Sequence, residues 1–103
     1  MSAAKTRAQA LIDENAVVVF SKSYCPYCAS SKKLLDKLNA KYTVLELDQD
    51  EEGSAIQSAL AEITNQRTVP NIFIKQQHIG GNSDLQGKDG LKELLKAAGA
   101  ISA

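Results

Sequence analysis

The stretch Ala16-Val17-Val18-Val19-Phe20-Ser21-Lys22-Ser23-Tyr24-Cys25-Pro26-Tyr27-Cys28 decides how this chain folds. Its first five residues are apolar and rich in β-branched valine, the composition of a strand buried on both faces. Pro26 suits the first turn of a helix, because its fixed φ is already helical and its missing N–H would have had no partner there. A buried strand therefore runs almost directly into a helix, and two cysteines sit at the junction.

Working outward, Ser2 can cap a helix over roughly Ala3 to Asp13, whose apolar face is Ala4, Ala8, Leu11 and Ile12. The helix opened by Pro26 is expected to reach about Ala40 with Leu34, Leu35 and Leu38 inward. Tyr42 to Leu47 reads as a second strand. Asp48, Asp50, Glu51 and Glu52 lead into a third helix, where acids favour the positive end of the dipole, and its inner face is Ile56, Leu60 and Ile63. Asn71 to Lys75 and His78 to Gly81 read as short strands joined by a tight turn. A final helix carries Leu91, Leu94 and Leu95, and Gly99 is placed to end it.

The order α-β-α-β-α-β-β-α begins with a β-α-β unit, which demands parallel strands and a right-handed crossover. The later hairpin adds antiparallel strands. A mixed four-stranded sheet with helices on both faces, in one α/β domain spanning residues 1–103, accommodates all of these elements.

Bulk properties narrow the function. Of 103 residues, 44% are hydrophobic, enough for a core without disulfide staples. Twelve basic residues balance twelve acidic ones, which leaves no electrostatic footprint for nucleic acid or an anionic membrane. The first residues lack the apolar stretch of a secretory signal, and no apolar run approaches the roughly 20 residues that span a bilayer. A cytoplasmic monomer is the expectation.

Cys25 and Cys28 are the two cysteines of the chain. A bridge between them closes too small a loop to constrain the unfolded chain much, so the pair is poorly placed as a staple. Half a zinc site is the bland alternative. Zinc needs about four ligands, and His78 is the one further borderline donor of the imidazole or thiolate kind. The helix start argues for redox chemistry instead. Unpaired first-turn N–H groups and the macrodipole favour an anion there, so the Cys25 thiolate gains over its thiol and the pKa falls below about 8.5. Lys22 can add positive charge. Cys28, three residues on, shares the helix face and can reach Cys25. Cys25 is thus the exposed nucleophile and Cys28 the shielded resolving thiol.

Cys25-Pro26-Tyr27-Cys28 resembles the active-site tetrapeptide of dithiol glutaredoxins, members of the thioredoxin superfamily. Thioredoxins usually have Gly-Pro between the cysteines and a Trp before them; this chain has Tyr24 there and no Trp. Thr68-Val69-Pro70 is similar to the family's loop before the third strand, and Ile79-Gly80-Gly81-Asn82-Ser83-Asp84-Leu85 to its glutathione-binding turn. The three motifs keep the family's order and spacing along essentially the whole chain.

The resemblance implies a thioredoxin-like fold and a glutathione-dependent thiol–disulfide oxidoreductase. It implies a cis bond between Val69 and Pro70, turning the Val69 backbone towards the thiols to pair with a bound peptide. Gly81, Ser83 and Asp84 would take the γ-glutamyl end of glutathione, with Asp84 facing the α-ammonium. Lys22 and Gln57 would meet the glycine carboxylate, with Arg67 nearby, and Tyr27 would form an aromatic lip beside the sulfur. Protein–glutathione mixed disulfides would be reduced by Cys25 alone and protein disulfides by Cys25 with Cys28. Glutathione would be the co-substrate, restored by glutathione reductase and NADPH, with no metal required. Some family members instead carry a glutathione-ligated iron–sulfur cluster. These usually have Gly or Ser after the first cysteine, where this chain has Pro26. A thioredoxin-like reductase served by a flavoprotein is disfavoured by the charged groove that Lys22 and Asp84 would make.

Two positions depart from the family pattern. Lys75-Gln76-Gln77-His78 lacks the glycine often found in the hairpin turn, and Asn65 stands where glycine commonly ends the third helix. Asparagine tolerates the left-handed conformation that this end needs. No role falls to His78.

Overall fold

The computed structural model describes residues 2–102. The elements are α1 (Ala3–Glu14), β1 (Val17–Ser21), α2 (Pro26–Lys37), β2 (Thr43–Glu46), α3 (Gly53–Thr64), β3 (Asn71–Ile74), β4 (Gln77–Gly80), α4 (Asn82–Gln86) and α5 (Leu91–Ala97). The sheet order is β2-β1-β3-β4. β1 pairs parallel with β2, while the β1–β3 and β3–β4 pairs are antiparallel. This is the mixed four-stranded thioredoxin-like sheet expected from the sequence.

Alternation along β1 builds a core on each face of the sheet. Val18 and Phe20 pack with Ala4, Ala8, Ile12, Ile56, Leu60 and Phe73 under α1 and α3. Val17 and Val19 pack with Leu35, Ile72, Ile74, Leu85 and Leu95 under α2, α4 and α5. The run that reads as buried on both faces is therefore buried by two different sets of helices. Phe20 and Phe73 meet edge to face, ring centroids 6.1 Å apart.

Three ends are set by left-handed residues. α2 stops at Lys37, three residues short of the expected Ala40, because Asn39 takes φ 58°. Asn39 N–H then donates to Asp36 C=O and Ala40 N–H to Leu35 C=O, both at 2.9 Å, which is a Schellman closure with asparagine in place of glycine. Asn65 ends α3 at φ 64°, as its tolerance for that region allows. Gly99 closes α5 by the same pair of bonds, from Gly99 to Lys96 and from Ala100 to Leu95. In the hairpin, Lys75 and Gln76 both adopt positive φ, 51° and 67°, so a two-residue primed turn forms without glycine.

The expected single final helix is two helices. Gly87 caps α4, and Gly90 at φ 70° reorients the chain before Leu91. The break lets Leu85 and Leu91 both reach the core. No described helix is long and apolar enough to cross a membrane.

Candidate functional site

Cys25 is the N-cap of α2, in extended backbone, with Pro26 as the first helical residue. The turn that delivers it is closed by Cys25 N–H donating to Lys22 C=O at 3.0 Å. Ser23, in the same turn, is held from β2's far end: its N–H donates to Asp48 Oδ1 at 2.9 Å and its hydroxyl to Asp48 Oδ2. These two bonds, with the Lys22 charge, keep the Asp48 carboxyl below its ordinary range against a small opposing cost of burial.

The two thiols are free and differ in setting. Cys25 is half-buried and Cys28 fully buried. Burial pushes the Cys25 pKa up, but the Cys28 N–H, the Cys28 thiol, the Tyr27 N–H and the Lys32 charge together bring it below its ordinary value. Burial dominates at Cys28 and raises its pKa, against hydrogen bonds from the Lys22 backbone and the Ser21 hydroxyl. The two neighbouring thiols are thus shifted in opposite directions, Cys25 towards its thiolate and Cys28 towards its thiol. Lys32, on α2, is the cation that acts on Cys25, and it pairs with Glu46 Oε2 at 2.8 Å.

A groove of about 610 Å³ opens beside this pair, lined by Tyr27, Thr68, Val69, Pro70, Gly81, Ser83 and Asp84 together with Gln66 and Asn82. The first seven are all residues singled out in the sequence. The Val69–Pro70 bond is cis, as the resemblance implies. Tyr27, in the lining, is 67% exposed, and Tyr24, which does not line the groove, is 72% exposed. Asp84 Oδ2 accepts from Gly81 N–H at 2.9 Å and closes the first turn of α4. Gly80, at φ 117°, makes room for that carboxylate: a Cβ there would lie 2.4 Å from Asp84 Oδ2. The close approach that glycine permits is thus made by the chain's own side chain.

Gln57 and Arg67 share a separate depression of about 210 Å³ with Ser54, Ser58 and Ala61, where Gln57 Nε2 donates to Arg67 C=O at 2.8 Å. Lys22 lines neither hollow and sits half-buried in the turn before Cys25. Three contributors escaped the sequence reading. Gln66 Nε2 clamps the loop by donating to Thr68 C=O at 3.1 Å and Pro70 C=O at 2.9 Å. Asn82 lies inside a quoted motif but was given no role. Lys32 is seven residues after Cys25, two helical turns on, a spacing that could have flagged it. His78 bonds Asn71 Oδ1 at 2.9 Å and lies over Phe73, outside the groove. Burial lowers its pKa, partly offset by Asp84. No group of three or more His, Cys, Asp or Glu side chains able to hold a metal gathers among the described residues.

The glutaredoxin family model matches residues 17–79, from β1 to the hairpin. The chain belongs to the glutaredoxin family. It is 57% identical over 101 residues to a glutaredoxin of Ricinus communis, covering 95% of this chain and 99% of that protein. It is 51% identical to glutaredoxin-C2 of Arabidopsis thaliana, over 96% of this chain and 92% of the relative. Among solved structures, a buckwheat glutaredoxin–glutathione complex superposes with a TM-score of 0.94 at 51% identity, covering 96% and 93% of the two chains. The sequence relatives and the structural relatives therefore agree on the family and on the fold.

Proposed function

We propose that this glutaredoxin reduces protein–glutathione mixed disulfides through Cys25 alone and protein disulfides through Cys25 with Cys28. The observation that carries the reading is the contrast between the thiols. Cys25 is reachable with a lowered pKa, Cys28 is buried with a raised one, and a peptide-sized groove lies alongside. The buckwheat relative solved as a glutathione complex supports glutathione as the occupant of that groove.

In the first route the Cys25 thiolate attacks the glutathionyl sulfur of the substrate. A Cys25–glutathione disulfide forms and the protein thiolate leaves. A second glutathione thiolate then attacks that sulfur, giving glutathione disulfide and restoring Cys25. In the second route Cys25 attacks a protein disulfide and forms a mixed disulfide. Cys28, deprotonated as it reacts, attacks the Cys25 sulfur and releases the substrate dithiol. Two glutathione molecules re-reduce the pair. A lowered pKa makes Cys25 a better leaving group and enlarges its thiolate fraction, at some loss of intrinsic nucleophilicity. A reduced glutathione pool, maintained by glutathione reductase and NADPH, suits the cytoplasm.

The test is turnover of a small glutathione mixed disulfide coupled to glutathione reductase and NADPH. Cys25→Ser removes it. Cys28→Ser keeps that turnover and loses most reduction of a protein disulfide. Loss of both reactions in Cys28→Ser would contradict the roles given to the two thiols.

A further inference from the structure

Ser31 lies one turn beyond Cys28 on α2 and is fully buried. Its hydroxyl donates to Asn82 Oδ1 at 2.8 Å, tying the cysteine-bearing helix to the residue that opens α4. The same oxygen accepts from Gln86 Nε2 at 3.2 Å. Gln86 Nε2 also faces the Ser30 hydroxyl at 3.3 Å and the Ser30 carbonyl at 3.5 Å.

These partners fix the orientation of the Asn82 amide. Gln86 turns its N–H₂ towards a backbone carbonyl, so it must donate. The Ser31 hydroxyl, buried, needs an acceptor. One asparagine oxygen serves both, whereas the flipped amide would set two N–H₂ groups against each other. The Asn82 nitrogen is left without a hydrogen-bond partner among the described residues, yet it is not among their buried unpaired atoms. It is a solvated donor on a residue that lines the groove. The other neutral donors of the groove, the Tyr27, Thr68 and Ser83 hydroxyls, make no side-chain hydrogen bond among the described residues that would orient them. Asp84 presents a carboxylate, and the Gln66 amide is committed to the Thr68 and Pro70 carbonyls.

We infer that Asn82 is a specificity-determining residue whose amide N–H₂, oriented by Ser31 and Gln86, donates to a carboxylate or peptide oxygen of the glutathionyl group in the groove. The inference rests on the glutathione reading above and assigns a side chain to it. A fixed neutral donor beside Asp84 lets an anionic or carbonyl oxygen settle where the neighbouring carboxylate alone would repel it. Ser31 is a positioning residue, acting through Asn82.

Asn82→Asp tests the donor. Aspartate keeps the acceptor for Ser31 and Gln86, suits the first turn of a helix and replaces the donor by an acceptor. The KM for a glutathione mixed disulfide is expected to rise about tenfold, the loss of one hydrogen bond to a charged group, with the loss falling on KM rather than kcat. Titration of glutathione disulfide into the Cys25→Ser protein, with and without Asn82→Asp, is expected to show the same loss. It should persist in 1 M salt, where the Debye length is about 3 Å. Unchanged or tighter binding, or a loss that vanishes in high salt, overturns the inference. Ser31→Ala leaves the donor in place but frees its orientation. It is expected to raise KM about two- to threefold without moving the pH profile of Cys25 alkylation, a loss smaller than that of the whole bond; an unchanged KM overturns the role given to Ser31. A parent protein that binds glutathione disulfide but turns over no mixed disulfide defeats the catalytic reading and leaves this one to the titration. A parent that turns over, with KM unmoved by Asn82→Asp, does the reverse.

Discussion

Cys25 owes its character to its immediate surroundings: N–H groups at the start of a helix, one neighbouring thiol and one lysine two turns along. The helix-end contribution could be read from the sequence, because Pro26 marks the first helical residue and so places Cys25 at the cap. The lysine could not. Lys22 is nearer in the chain, but its charge acts on Asp48, while Lys32 acts on Cys25. Lys32 is placed partly by Glu46, fourteen residues away on β2, and no local pattern announces that pair. Replacing Lys32 by glutamine removes a positive charge that favours the thiolate. The midpoint of Cys25 alkylation against pH should therefore move up in Lys32→Gln, and alkylation at slightly acid pH should slow. The Cys28 midpoint should stay above that of Cys25 in both proteins, since burial sets it. Rate profiles with iodoacetamide, read by mass spectrometry at each cysteine, measure both. An unmoved Cys25 midpoint would leave the helix-end N–H groups and the Cys28 thiol responsible.

The elements were legible where a single residue decides them. Pro26 starts α2, Gly99 ends α5, and alternation in Val17-Val18-Val19-Phe20 sends side chains to two cores. They were less legible where a residue chooses between conformations it merely tolerates. Asn39 ends α2 early, Lys75 and Gln76 bear a primed turn without glycine, and Gly90 splits the last helix. Least legible was how closely elements approach. Gly53 begins α3 against the end of β2, and a Cβ on it would lie 1.7 Å from the Leu47 carbonyl oxygen. Nothing in Glu52-Gly53-Ser54 distinguishes this glycine from an ordinary loop residue. A methyl group there cannot be absorbed by rotating a side chain, because the obstacle is backbone. Gly53→Ala should force α3 away from β2 and lower stability by about 2–3 kcal/mol, the upper range for overpacking. Urea unfolding measures it. A change below about 0.5 kcal/mol, the scatter of neutral surface substitutions, would mean that the two elements separate freely.

On the scale of the whole molecule, the sequence conveyed that helices cover both faces of one sheet, because a β-α-β start and a hairpin leave few other arrangements. It did not convey how the two helices of one face are held together. α1 and α3 lie side by side under β1 and β3, and Arg7 of α1 reaches the turn before α3. Its guanidinium bonds both oxygens of Asp50, at 2.8 and 2.7 Å, and Glu52 Oε1 at 2.8 Å. Asp50 in turn accepts from Glu52 N–H at 2.9 Å, so one carboxylate joins the arginine to the start of the helix. The Arg7 hydrogen bond, the Glu52 N–H and the Arg7 charge, against a small cost of burial, bring the Asp50 pKa down from 3.8 to about 2. Arg7 itself, hydrogen-bonded first to Asp50 and then to Glu52, stays charged at any accessible pH. A carboxyl whose folded pKa is depressed stabilises the fold above its unfolded pKa and loses that contribution as pH falls through the folded one. The pair should therefore contribute fully at neutral pH and fade as pH drops from about 4 towards about 2. Asp48, also depressed, steepens the same limb, but it does so with or without Arg7. The difference between parent and Arg7→Gln isolates the pair. At pH 7 the variant should melt at a lower temperature than the parent, and the gap should narrow steadily below pH 4 and close near pH 2. It should also shrink at neutral pH in high salt, because the Arg7 side chain is 38% exposed and its field is screened. A gap that persists undiminished at pH 2 would show that Arg7 supports the α1–α3 face through the packing of its aliphatic stem, with the bond to Asp50 contributing nothing measurable.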